Sequence, residues 1–378
     1  MVREPGRSAA AFGWPVFVLL ASLGCEPPVT DRDAGAEAAD GGACSTPPPT
    51  TAVDLLFMID NSSSMGQEQS CASQGFTAAL STLVDRSGDG GTPGEVAVTD
   101  LHIGVVSSDM GTAGYSITTC REPTDGDDGM LLHEPSTLVG GCDPSYPTFL
   151  SWSTGDDTEA LQYDFDCISI LGTGGCGFEQ QLAAVREALT THAAGANSGF
   201  LREDSVLAVV LLTDEEDCSI RTDGPTDIFD TSTDLGPLNL RCFNHRDEYV
   251  EPVSSFVSDL VALRPCAPER LVVAAIAGIP PDSGCNLSGM TDADFQCVLD
   301  HPAMQEVIDE SPAGQGERLT PSCDVPGLGQ AFPPRRIVEL VRGVRREGAS
   351  GTVQSICDAD LSPAMREIAR VVRSRLGR

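Results

Sequence analysis

The chain has 378 residues, with 56 acidic side chains against 23 basic ones, a formal net charge of −33 and a pI near 4.2. That balance excludes nucleic acid and anionic membrane surfaces as partners, because both need clustered basic charge. No lysine occurs, so every basic residue is Arg, and the length allows one large domain or two small ones.

Residues 1–25 read as an export signal. Arg3 and Arg7 precede the apolar stretch Ala9–Leu23, which is too short for a stable membrane span. The stretch closes in Ala21-Ser22-Leu23-Gly24-Cys25, which resembles the lipobox of bacterial lipoproteins, with Ser22 and Leu23 departing from its preferred order. The resemblance implies lipidation at Cys25 and a membrane-anchored protein of the cell envelope. Plain secretion after cleavage nearby and an uncleaved anchor are the alternatives. Residues 26–50, rich in Pro, Asp, Ala and Gly, have the composition of a flexible tether.

From about 51 to 378, strand and helix signals alternate, which predicts one α/β domain: a doubly wound, mainly parallel sheet flanked by helices. Leu55–Ile59 reads as a fully buried strand that ends abruptly in Asp60-Asn-Ser62-Ser-Ser64. Residues 67–85 read as a helix, and a strand ends in the Ile-Gly-Val-Val run before 107, with any short antiparallel edge strand close by. A Gly-rich loop holding Thr173 and Cys176 precedes an amphipathic helix over 178–190. Residues 204–213 form a second apolar strand, ending in Thr213-Asp214-Glu215-Glu216-Asp217. The three acidic residues 215–217 read as a solvated rim, with room for one extra Ca²⁺ contact. Helical spacing then predicts a helix from His245 to Leu263, a strand over 271–279, a helix over 335–344 and a short strand over 352–356. A last helix starts at Ser362-Pro363, with Ser as N-cap.

One carboxylate beside neutral hydroxyls at a strand's carboxyl end suits a hard divalent cation. Asp60-x-Ser62-x-Ser64, followed by the strand ending in Thr213-Asp214, resembles the von Willebrand factor A family and its metal-ion-dependent adhesion site. The resemblance implies a Rossmann-like fold. It implies Mg²⁺ or Mn²⁺, with Ca²⁺ a further option, held through the hydroxyls of Ser62, Ser64 and Thr173. Asp60 and Asp214 then act directly or through water. Thr173 is chosen over Cys176 for the third loop because a thiolate is a poor Mg²⁺ ligand. The implied partner is a protein offering a carboxylate to the under-neutralised cation, and the implied role is adhesion or protein binding in the envelope. A structural envelope protein with a purely structural metal is the alternative, and a metal-assisted hydrolase the third reading.

Three stretches exceed ordinary connections of roughly 2–6 residues: about 108–165, 219–244 and 280–332. Their cysteines suggest disulfide-pinned insertions rather than free loops. With Cys25 and Cys44 set aside, twelve cysteines remain as disulfide candidates: Cys71, Cys120, Cys142, Cys167, Cys176, Cys218, Cys242, Cys266, Cys285, Cys297, Cys323 and Cys357. Catalytic signatures do not emerge. His133-Glu134-Pro135 lacks the second His of a zincin, and Asp60 lacks the second Asp of a haloacid dehalogenase-type phosphatase. Two acidic loops, from Asp85 and from Thr124, carry only the opening of a calcium motif. The reading is therefore of a binding protein rather than an enzyme.

Overall fold

Seven- and eight-residue apolar runs alternate their side chains to opposite faces, so a strand built from one must be covered on both sides. The computed structural model, which describes residues 44, 47–85, 96–309, 316–326 and 329–377, meets that demand. The export signal, Cys25 and most of the tether lie outside the described residues. Among the described residues no helix is long and apolar enough to cross a membrane.

The strands are β1 (Ala52–Ile59), β2 (Asp100–Ser107), β3 (Leu150–Ser153), β4 (Val206–Leu212), β5 (Leu271–Ala277), four short ones and β10 (Ser350–Ser355). The short ones are β6 (Ile308–Asp309), β7 (Arg318–Leu319), β8 (Cys323–Val325) and β9 (Gly329–Ala331). The helices are α1 (Glu68–Val84), α2 (Thr158–Ser169), α3 (Gln181–Leu189), α4 (Arg241–Asn244), α5 (Arg246–Tyr249), α6 (Val253–Ala262), α7 (Asp292–Asp300), α8 (Arg335–Arg346) and α9 (Ser362–Arg373).

The main sheet runs β10-β5-β4-β1-β2-β3, parallel throughout except for β3, which pairs antiparallel with β2 at the edge. On one face Leu55, Phe57 and Ile59 of β1 pack with Phe76 of α1, Phe165 of α2 and Met365 of α9. On the other face Leu56 and Met58 pack with Leu182 of α3, Phe256 of α6, Phe295 of α7 and Val341 of α8. The fold is thus α/β, with a mainly parallel central sheet covered by helices on both faces.

Local details depart from the sequence reading. The helix expected over 245–263 is broken: Val250 is extended and bridges Ile220, and α6 starts only after Pro252. Proline lacks the donor a continuing helix needs and pushes the residue before it out of the helical region. Ser362 is not an N-cap; it lies inside α9, and its backbone N–H donates to Asp360 Oδ1 at 2.9 Å. The edge strand lies not beside β2 in sequence but within the first insertion, which also contributes the start of α2.

Six disulfides join Cys44–Cys266, Cys120–Cys176, Cys142–Cys167, Cys218–Cys242, Cys285–Cys297 and Cys323–Cys357. They point to an oxidising, extracytoplasmic environment. Each insertion carries at least one, as its cysteines suggested. The one exception among the candidates is Cys71, which forms no disulfide, whereas Cys44, set aside above, pairs with Cys266. Cys71 sits on α1 and packs against the same core cluster as Cys167 and Cys357, which are already bonded to Cys142 and Cys323.

Candidate metal centre

Strand register builds the site. Ile59, the last residue of β1, lies beside Ser107 of β2 and Leu212 of β4. The next residues on each chain, Asp60, Ser108 and Thr213, therefore leave the sheet side by side at its carboxyl edge. There β1 is the point from which the chain order runs outward in both directions, the position where open α/β sheets leave a crevice.

Asp60 is fully buried. Its Oδ1 accepts from the Ser62 backbone N–H at 2.8 Å and the Ser108 hydroxyl at 3.3 Å, and its Oδ2 accepts from the Thr213 hydroxyl at 2.6 Å. The Ser62 and Ser64 hydroxyls are 3.1 Å apart. The Ser64 hydroxyl also favours the charged form of Asp214. Asp214 is 2% exposed, yet its Oδ1 meets no donor. Asp60, Ser62, Ser64 and Asp214 are thus brought together.

Thr173 is exposed and stands beside the Ser62–Gly66 turn: a Cβ on Gly66 would lie 3.3 Å from its methyl carbon. Two features dock its loop. The Gly175 N–H donates to the Asn61 carbonyl at 2.9 Å. Gln69, buried on α1, donates to the carbonyls of Asp60 at 2.8 Å and Gly172 at 2.9 Å, and accepts from the Gly172 N–H at 3.0 Å. Cys176 is bonded to Cys120 and offers no thiolate. Asp109 lies with both of these sulfurs within 4.8 Å, a donor set that could hold a metal only with the disulfide reduced.

The electrostatics are one-sided. Burial raises the Asp60 carboxyl above its ordinary range, against the pull of its hydrogen bonds to Thr213, Ser62 and Ser108. Burial, then the charge of Asp60, pushes Asp214 up to about 8. Glu179 and Glu215 are raised well above the usual carboxylate range by burial and by their acidic neighbours, Asp60 and Asp214 among them. The leading charges acting on these four are other carboxylates, although Arg246 and Arg318 line a cavity with Glu179 and Glu215. An oxygen-rich site with excess negative charge and an orphaned carboxylate oxygen fits a hard divalent cation.

The acidic run 215–217 is not a solvated rim. Asp217 is 1% exposed; its carboxylate takes the Leu182 and Ser219 N–H groups and the Arg336 guanidinium. Glu216 accepts the Arg336 backbone N–H at 3.0 Å. The two residues cap α3 and α8, neither of which has a side-chain cap from its own N-cap residue. Sequence reasoning also missed Ser108, Gln69 and Glu179. Ser108 carries a signal, because it ends an apolar strand as Asp60 does; the other two are ordinary helix-start residues on a sequence view.

No protein-family model matches the chain, and no curated protein matches it.

Proposed function

We propose that the chain is an exported von Willebrand factor A-type domain that binds a protein partner through a divalent cation. Asp60, Ser62, Ser64 and Asp214, with Thr173 from the neighbouring loop, would hold Mg²⁺ or Mn²⁺. The cation supplies a Lewis-acidic position for a partner's carboxylate. The observation that carries the reading is the convergence of two hydroxyls with two buried carboxylates, one bearing an oxygen without a donor, at the carboxyl edge of β1 and β4. The hydroxyls of Ser62, Ser64 and Thr173 are neutral ligands, so the ion is less neutralised than in an all-carboxylate shell and can take an incoming anion. A hydrolase reading is weaker, because no His, Cys or Lys faces Asp60 or Asp214 as a base or nucleophile among the groups acting on them.

The test is calorimetric titration of the metal-stripped, oxidised full chain with Mg²⁺ and Mn²⁺, beside Asp60→Ala and Ser62→Ala/Ser64→Ala. Saturable binding lost in Asp60→Ala is expected. A folded chain that binds neither ion would overturn the proposal. Loss of partner capture in the serine pair with the melting temperature kept would favour adhesion over a structural metal.

A further inference from the structure

The Thr173 loop is crossed by a second segment, 119–121, and the crossing is fixed at three points. The Gly177 N–H donates to the Thr119 carbonyl at 2.9 Å, Cys120 is bonded to Cys176, and Arg121 lies over Gly174. A Cβ on Gly174 would lie 2.8 Å from Arg121 Cζ and Nη1 and 3.0 Å from Nη2, so the guanidinium rests on bare glycine backbone. Gly174 follows Thr173, the proposed hydroxyl ligand, and precedes Gly175, whose N–H holds the loop to Asn61. Arg121 therefore stands at the rim of the candidate metal centre.

The side chain has no employment within the chain. Arg121 is exposed, and among the described residues no carboxylate pairs with it and no acceptor takes its N–H groups. Other arginines near the site are engaged: Arg246 pairs with Glu306, Arg318 donates to Gln330 and Arg336 pairs with Asp217. A cover for the glycine loop needs no charge. A guanidinium held by a disulfide at its neighbour and floored by a glycine instead presents a rigid fork of donors, matched to a carboxylate.

We infer that Arg121 determines partner specificity: it takes a carboxylate of an acidic peptide segment whose neighbouring acid completes the cation's shell. The inference rests on the adhesion reading and names the chemistry of the partner. A hard cation accepts any hard oxygen, a carbonyl or hydroxyl included. A guanidinium beside it favours carboxylates through charge-assisted hydrogen bonds. It also offsets the repulsion that an acidic segment meets from a chain of net charge −33. The ligand class is a peptide with clustered Asp or Glu side chains.

The test uses the oxidised full chain loaded with Mn²⁺ and two fluorescent peptides, hexaglutamate and hexaglutamine, read by anisotropy. Wild type, Arg121→Gln and Arg121→Lys are compared, with calorimetry for the Mn²⁺ affinity of each. Arg121 is exposed and donates no side-chain hydrogen bond, so these variants leave the fold intact. Wild type is expected to bind hexaglutamate over hexaglutamine, and only with Mn²⁺. Arg121→Gln should weaken hexaglutamate binding about tenfold, the loss of one charge-assisted contact, and Arg121→Lys should restore part of it. Melting temperature should hold and Mn²⁺ affinity should not fall. Equal hexaglutamate affinity in wild type and Arg121→Gln would overturn the inference and leave the metal site standing. So would Mn²⁺-loaded wild type that ignores hexaglutamate, or binding that survives removal of Mn²⁺ by EDTA. A wild type that takes up no Mn²⁺ would overturn the adhesion reading and the inference with it.

Discussion

Two residues with no metal-binding chemistry of their own hold the Thr173 loop against the Asp60 loop. Gln69 spans them with three hydrogen bonds, all to backbone groups. Gln69→Leu keeps bulk but leaves those groups without a partner, at about 1–3 kcal/mol for a buried group left unsatisfied. The expected outcome is a lower melting temperature together with weaker cation affinity; a stability loss with affinity intact would show that the loop finds its place without Gln69. Gly175 passes so close to Asn61 that an added Cβ would lie 2.0 Å from Asn61 Oδ1. Gly175→Ala is expected to cost roughly 1–3 kcal/mol as an overpacking change. Asn61→Ala in the same chain should recover most of that loss, since it removes the atom in the way, and chemical denaturation of the single and double variants measures it.

At the scale of elements, the first turns of α3 and α8 are satisfied by distant chain rather than by their own N-cap side chains. The first turn of α3 takes Asp217 Oδ1 on Leu182 N–H at 2.9 Å and the Ser219 hydroxyl on Ala183 N–H at 2.8 Å. The same Asp217 holds Arg336 at the start of α8 at 2.9 Å, and both side chains are nearly inaccessible. One segment therefore fixes two helices beside the proposed metal site. Arg336→Met alone strands a buried carboxylate, and removal of one partner from such a pair costs about 3–5 kcal/mol. Adding Asp217→Asn should return part of that loss, because the amide keeps an acceptor for Leu182 N–H without the charge. A double variant no more stable than Arg336→Met would show that the charge is not the source of the loss.

The whole molecule concentrates titrating groups at one end of the sheet, and the sign of the effect follows. Asp214 takes its proton at about 8 in the folded chain against an ordinary 3.8, and Glu216 at about 8 against 4.5. Between about pH 4 and pH 8 the native state binds more protons than the unfolded chain, so metal-free stability falls as pH rises. Asp292 and Asp360, both exposed, and half-buried Asp294 are held low by Arg342, Ser362 and Thr291 and act with the opposite sign, but only below their ordinary range. The two windows separate. Metal-stripped protein should melt at a lower temperature at about pH 8 than at about pH 5. Saturating Mg²⁺ should raise the melting temperature more at the higher pH, where it no longer competes with protons. An equal Mg²⁺ effect at both pH values would count against carboxylate ligands.

What the sequence determined by itself was whatever local pattern encodes. Unbroken apolar runs such as Leu207–Leu212 can exist only as strands covered on both faces, which specifies a parallel sheet between helix layers. The abrupt change from Ile59 to Asp60 and from Leu212 to Thr213 marks where the chain leaves that sheet. Cysteine spread across long insertions announced disulfides in an oxidising compartment. Tertiary structure alone decided the rest. Pairing sulfurs depends on three-dimensional proximity, so Cys44 found Cys266 while Cys71 met no partner. Pro252 broke a helix that side-chain periodicity predicted, because a missing donor outweighs an amphipathic pattern. Glu216 and Asp217 look like solvated charge in one dimension and are buried caps in three, since the N–H groups they satisfy come from 35 residues before and 119 residues after Asp217 in the chain. Arg121 meets Gly174 only because the Cys120–Cys176 disulfide brings together segments 56 residues apart.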